Sequence, residues 1–246
     1  MTQVSPTVVS ELAPTGTLRV GINLSNFLLT RTDAAAGEHG GVAVDLGREL
    51  GRRLGVPVQI VPYPNPGALA EAAKSGVWDV GFLGAEPQRA NGIDFTAAYV
   101  EIEATYLAPP GSPLKSIDEV DREGVRIAVP TKSAYELYLT RSLKHAKLVH
   151  EKGSENAFKR FVADKLDALA GLRPRLATDH DNLPGSRVLE GRFTAVQQAV
   201  GTPKGRSAGA QYLREFVEEI KSTGLVARAI EKNGVRGLTI APAAST

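Results

Sequence analysis

Two stretches of this 246-residue chain, eighty-eight residues apart, repeat one another: Val77-Trp78-Asp79 leads through GFLGAEP, and Lys165-Leu166-Asp167 leads through ALAGLRP. Each copy is preceded by a matching opener, residues 17–22 (TLRVGI) and 124–129 (GVRIAV), which runs into a loop and then an amphipathic helical pattern. A duplication of this kind restricts the chain to two similar lobes, and two similar lobes imply a cleft. Only the first copy continues into Gln88-Arg89 and Asp94-Phe95-Thr96. That asymmetry is where function is to be sought.

The spacing of apolar residues gives each lobe the same alternation. In the first, Leu18, Val20 and Ile22 alternate as in a strand, and Val42, Leu46, Leu50 and Leu54 recur at helical spacing up to Gly55. A strand at 58–61, a helix capped by Asn65 and stopped at Gly76, and a buried strand at 80–83 follow. The second lobe repeats the order with a strand at 126–129, a helix at 134–144, a strand near Leu148, a helix carrying Phe158, Phe161, Val162 and Leu166, and a strand at 168–172. Strands at 187–189 and 193–200 then lead to a helix striped by Leu213, Phe216, Val217 and Ile220, and to a helical run at 225–230. Strand and helix in alternation predict an α/β fold with parallel neighbours. The expected division is an extension at 1–15, a first lobe at 16–103 with 201–246, a second at 108–193, and hinge strands at 104–107 and 194–200.

Composition removes several classes of function. An apolar content of 42% fills a core in each lobe, and 29 basic against 27 acidic residues, interspersed, give a net charge of +2 without the basic stripe that nucleic acid requires. With no cysteine there is no disulfide, thiolate nucleophile or thiolate metal site. His39, His145, His150 and His180 lack ligand-type spacing, so neither metal nor cofactor is expected. Residues 201–207 (GTPKGRS) lack the spacing and Gly-Lys-Ser ending of a phosphate loop and read as a turn capping the next helix. There is no GxSxG nucleophile elbow. Residues 1–15 contain Pro6, Glu11 and Pro14 with no basic residue before an apolar run, unlike a secretory signal, and no later stretch approaches the roughly 20 apolar residues of a membrane helix. The chain is either a mature form of an exported protein or, if Met1 is the native start, cytoplasmic.

In open parallel sheets, ligands sit beyond the carboxyl ends of the strands, here the loops after Asn23, Leu83, Val129 and Leu172. After Phe82 and Leu83 come Gly84, Glu86, Pro87 and Arg89. Pro87 suits a first helical turn, and a guanidinium beside helix-start amides suits a carboxylate, with a solvated arginine as the alternative on these residues alone. Asn23 with Phe27 offers an amide and an apolar ring to an organic ligand. Ser133 and Glu136 have capping-box spacing at a second helix start, where free amides also favour anions. Arg173 stands where the first copy has Glu86 and is a second candidate cation, or a surface arginine.

Four segments together resemble the family 3 extracellular solute-binding proteins, the ligand-capturing subunits of ABC importers. They are TLRVGIN, GGVAVDLGRELGRRLG (similar to the family's GFDVDLxxAIAxxLG), WDVGFLG, and EPQRANGIDFTAAY (similar to TxERxxxxDFSxPY). The resemblance runs from Gly16 to about Asn233. It implies a two-lobed type II periplasmic-binding fold with a two-strand hinge, a monomer that hands a small-molecule carboxylate or amino acid to an ABC permease from the periplasm, and Arg89 as the carboxylate clamp. Three departures bear on the ligand. Gly84 replaces the usual hydroxyl residue, Leu172 the acidic residue that holds an α-ammonium, and Asn23 the aspartate of many basic-amino-acid binders. A carboxylate without an ammonium group, or a dicarboxylate if Arg173 faces inward, is therefore expected, because an unpaired buried charge costs several kcal/mol. Two other readings stay open. One is a lyase similar to cyclohexadienyl dehydratase, for which Glu86 is the nearest acid or base. The other is a ligand-sensing domain inside the cell.

Overall fold

The computed structural model describes residues 4–33 and 35–244, which divide into two compact units. Unit 1 runs up to Glu101 and resumes at Gln197; unit 2 is Ile102–Val196.

Unit 1 contains α1 (Pro6–Leu12), β1 (Leu18–Asn23), a hairpin of β2 (Arg31–Thr32) and β3 (His39–Gly40), α2 (Val42–Leu54), β4 (Val58–Tyr63), α3 (Pro66–Ala72), β5 (Val80–Gly84) and the first part of β6 (Ile93–Ala108). β1 pairs in parallel with β4 on one side and β5 on the other. Leu18, Val20 and Ile22 are fully buried, and α2 covers them with Val42, Leu46 and Leu50. Each such side chain contributes about 1.5–3 kcal/mol relative to exposure. The helix lies close because Gly51 faces β4, where an added Cβ would stand 2.1 Å from Val58 Cγ2. It stops at Gly55, whose φ of 70° is left-handed. Asn65 caps α3 by accepting the Ala68 N–H at 2.9 Å, and Trp78, fully buried, donates its Nε1–H to the Leu69 carbonyl at 3.0 Å.

Unit 2 takes up β6 and continues with β7 (Arg126–Pro130), α4 (Ala134–Ser142), β8 (Lys147–Glu151), α5 (Gly153–Ala163), β9 (Ala168–Leu172), α6 (Arg173–Asp181), β10 (Arg187–Val188) and the start of β11 (Thr194–Pro203). β7 pairs in parallel with β8 and β9, which reproduces the arrangement of β4, β1 and β5. β9 then runs antiparallel to β6, with Ala104 opposite Leu172. Tyr135 and Leu139 of α4 pack on one face of this sheet, Phe161 of α5 and Leu176 of α6 on the other.

β11 carries the chain back to unit 1 beside β5, followed by α7 (Ser207–Ser222), α8 (Leu225–Lys232) and β12 (Thr239–Ile240). Residues 201–203, expected in a turn, extend β11, and the turn itself is Lys204 and Gly205. The hairpin of β2 and β3, β12, and three larger elements differ from the sequence reading. The segment before Gly16 holds α1, whose buried Leu12 packs under α7 and whose Glu11 accepts the Gly209 N–H at 2.7 Å. β6 begins at Ile93, eleven residues before the hinge strand expected at 104–107. α6 follows β9 directly where only loop was expected, with Leu176 as its one buried apolar residue.

Candidate functional site

The candidate residues of unit 1 lie on the loops after β1 and β5, at the carboxyl ends of adjacent parallel strands. Asn23 closes β1 and is 9% exposed. Its Oδ1 is used twice, by the Ser25 N–H at 3.0 Å and the Ser25 hydroxyl at 2.8 Å, and its backbone carbonyl takes the Thr30 hydroxyl at 2.9 Å. Asn26 is similarly committed, with Oδ1 accepting the Leu28 N–H at 3.3 Å. The Asn23 side chain is thus left with its amino hydrogens, a donor and not an acceptor. Phe27 is 51% exposed, the most exposed large apolar side chain among the described residues.

Gly84 ends β5, and Arg89 folds back onto it, donating from Nη1 to the Gly84 carbonyl at 2.7 Å. Arg89 is 7% exposed. The Glu86 carbonyl accepts the N–H of Arg89 at 2.9 Å and of Ala90 at 3.1 Å, which shapes the turn that turns the guanidinium inward. The helix start expected at Pro87 is a single 3-10 turn, Arg89–Asn91. One turn carries little macrodipole, so the anion preference here rests on the guanidinium itself. Phe82 and Leu83 are core residues: Phe82 packs edge-to-face on Tyr99 at 5.8 Å, and Leu83 is fully buried beside Trp78 and Ile93.

In unit 2 the loop after β7 is built as a cap. Ser133 Oγ accepts the Glu136 N–H at 3.2 Å, and the Glu136 carboxylate accepts the Lys132 N–H at 3.1 Å, one residue earlier than the standard reciprocal bond. Glu136 Oε1 also receives Thr140 at 2.9 Å and lies 3.0 Å from His150 Nε2. Lys132 adopts a left-handed φ of 60°, an unusual conformation for a non-glycine residue. Behind this loop Tyr135 is buried, its hydroxyl bonded to Ser133 and Ser154, and burial pushes its pKa up. A cavity of about 10 Å³, near the size of one water molecule, lies between Pro130, Tyr135, Ser154, Gly171, Arg175 and Asp179. Asp179 is 2% exposed, and burial raises its pKa despite the Arg175 Nε–H at 3.0 Å. Neither Arg175 nor Asp179 stood out in the sequence; their i,i+4 spacing, with Asp179 seven residues beyond Leu172, is the signal that was there. Arg173 places its Nε–H on Glu103 at 2.8 Å and also bonds the Leu189 and Gly191 carbonyls.

Among the described residues no three His, Asp or Glu side chains converge as metal ligands, and no helix is long and apolar enough to cross a membrane.

Two α/β units, each with candidate loops at the carboxyl ends of its parallel strands, are linked by two chain crossings, as a two-lobed α/β fold requires. Residues 18–235 match the bacterial extracellular solute-binding proteins, family 3, and the chain belongs to that family. Solved structures agree on the fold. An ancestral amino acid-binding protein, a precursor of cyclohexadienyl dehydratase, is 24% identical over 92% of this chain and 98% of its own, with a TM-score of 0.74. The solute receptor for L-cysteine of Neisseria gonorrhoeae is 21% identical over 92% of each chain, with a TM-score of 0.76. An ABC transporter binding component from Wolinella succinogenes, complexed with lysine, is 21% identical over 89% of this chain and 95% of its own, with a TM-score of 0.74. A comparison with curated protein sequences finds no match.

Proposed function

We propose that this chain captures a small organic carboxylate, amino-acid-like in size, for an ABC importer, and that Arg89 anchors the carboxylate. The burial of Arg89 carries the reading. Arg89 is 7% exposed at the carboxyl end of β5, and the planar fork of a guanidinium matches a carboxylate's two oxygens. Asn23 adds a second donor on the neighbouring strand, because Ser25 already occupies its oxygen. Ser133 and the first amides of α4 supply a further anion-favouring surface in unit 2.

Within unit 1, Arg89 and Asn23 both present donors, which favours a ligand without an ammonium group over a standard amino acid. The binding component complexed with lysine and the receptor for L-cysteine set the opposing expectation. The reading favours a binder over a lyase, since elimination needs a positioned acid and base and the loop after β5, residues 85–92, carries Glu86 as its one carboxylate. Family membership supports a place outside the cytoplasm.

A thermal-shift screen over keto acids, aromatic acids, dicarboxylates and amino acids tests this. A ligand at 100 times its dissociation constant stabilises by about 2.7 kcal/mol, so a hit is plain. Shifts from carboxylates lacking an amine are expected to exceed those from their amino counterparts. The reverse order would move the ligand class to amino acids, and silence from every carboxylate would remove the clamp.

A further inference from the structure

The chain leaves unit 2 at two places, before Ile102 in β6 and after Val196 in β11. Within unit 2 the residues next to both exits are stitched together. The Leu189 N–H bonds the Tyr106 carbonyl at 2.8 Å, the Phe193 N–H bonds the Ala104 carbonyl at 3.1 Å, and the buried Thr105 hydroxyl bonds the Leu189 carbonyl at 3.1 Å. Phe193 also packs on Tyr106 with ring centres 4.6 Å apart. Between these ties the return segment turns through Glu190, Gly191 and Arg192, with Gly191 at φ 76°.

Arg173 closes the turn. The pairing of Ala104 with Leu172 carries Arg173, the first residue of α6, opposite Glu103. Its Nε–H reaches the Glu103 carboxylate at 2.8 Å while its other two nitrogens reach the Leu189 and Gly191 carbonyls. Arg192 adds a looser contact to Glu103 at 3.7 Å. A cation at a helix start opposes the helix dipole, and the Glu103 carboxylate offsets it. One planar side chain thus fastens the outgoing strand, the return segment and the end of β9 at once. Lysine, a point charge on a flexible stem, cannot span all three.

We infer that Arg173 is a positioning residue: a clasp that fixes the two chain crossings to each other where they leave unit 2. Its effect on ligand capture rests on the solute-binding reading above; the fastening itself does not.

Hydrogen exchange of the ligand-free protein separates the two. In R173A, the Leu189 and Phe193 amides should exchange at least about tenfold faster than in wild type, while amides of β7 and β8 keep their protection. R173K should not restore protection, and E103Q, which leaves the carbonyl contacts in place, should raise exchange by a smaller factor. If R173A does not fold, R173K decides: faster exchange supports the clasp and wild-type exchange overturns it. Unchanged exchange in folded R173A, with loss of ligand affinity alone, would make Arg173 a ligand contact and end the clasp.

Discussion

The two copies of the repeat tie their strands with the same device. In unit 1 the Asp79 N–H bonds the Arg19 carbonyl at 2.8 Å and the Asp79 carboxylate accepts the Arg19 N–H at 3.1 Å; in unit 2 Asp167 and Arg126 do the same at 3.0 and 2.8 Å. Their surroundings differ. The Asp79 side chain is fully buried and holds Arg19 through two bonds of 2.8 Å and Arg206 at 2.9 Å. That of Asp167 is 40% exposed, with the Arg126 Nε–H at 3.3 Å. The added cation, Arg206, comes from the chain's return to unit 1, and the adjoining Thr202 hydroxyl bonds the Asp79 carbonyl at 2.9 Å. One motif is therefore a core ion cluster where later chain closes over it, and a surface tie where none does.

Breaking each tie measures that difference. D79A leaves two arginines without their buried carboxylate and should cost about 3–5 kcal/mol in urea unfolding. D167A should cost roughly 0–1 kcal/mol. Equal losses would mean that burial does not distinguish the copies.

A second contrast has opposite signs of pH dependence. Glu49 of α2, hydrogen-bonded by Arg52 and Arg53, has its pKa lowered to about 2. Its stabilisation is present above the ordinary carboxylate range and is lost as pH falls toward that value. E49Q should cost about 1–2 kcal/mol at neutral pH, with the gap to wild type closing in acid. Asp179 of α6 has its pKa raised by burial, so its contribution is full at low pH and lost as pH rises through its folded value. D179N should therefore compare better with wild type at neutral pH than in acid, by a smaller margin than E49Q. Unfolding curves from pH 3 to 7 check both signs.

Much of this architecture was legible in the sequence because it depends on local spacing. β1, α2, β7 and β9 follow from apolar periods of two and 3.6, and Asn65, Gly55 and Ser133 mark helix ends through their own chemistry. α6 was not legible, since its sequence RPRLATDHD buries one leucine and shows no stripe. Nor was the start of β6, where the polar Thr96 is buried and Phe95 only partly so, against the apolar alternation. At the candidate site, the loops holding Asn23, Gly84 and Arg89 could be placed by strand order. The role of each side chain could not, because it depends on contacts remote in sequence or on competing local bonds. Arg173 meets Glu103 only through the register of β6 and β9, and Asn23 becomes a donor only because Ser25 takes its oxygen.

The central claim is that Arg89 grips a ligand carboxylate. Isothermal calorimetry of R89A beside wild type, with the carboxylate that gives the largest thermal shift, tests it. R89A is expected to lose roughly 2–5 kcal/mol in binding free energy. Wild-type affinity in a folded R89A protein would contradict it.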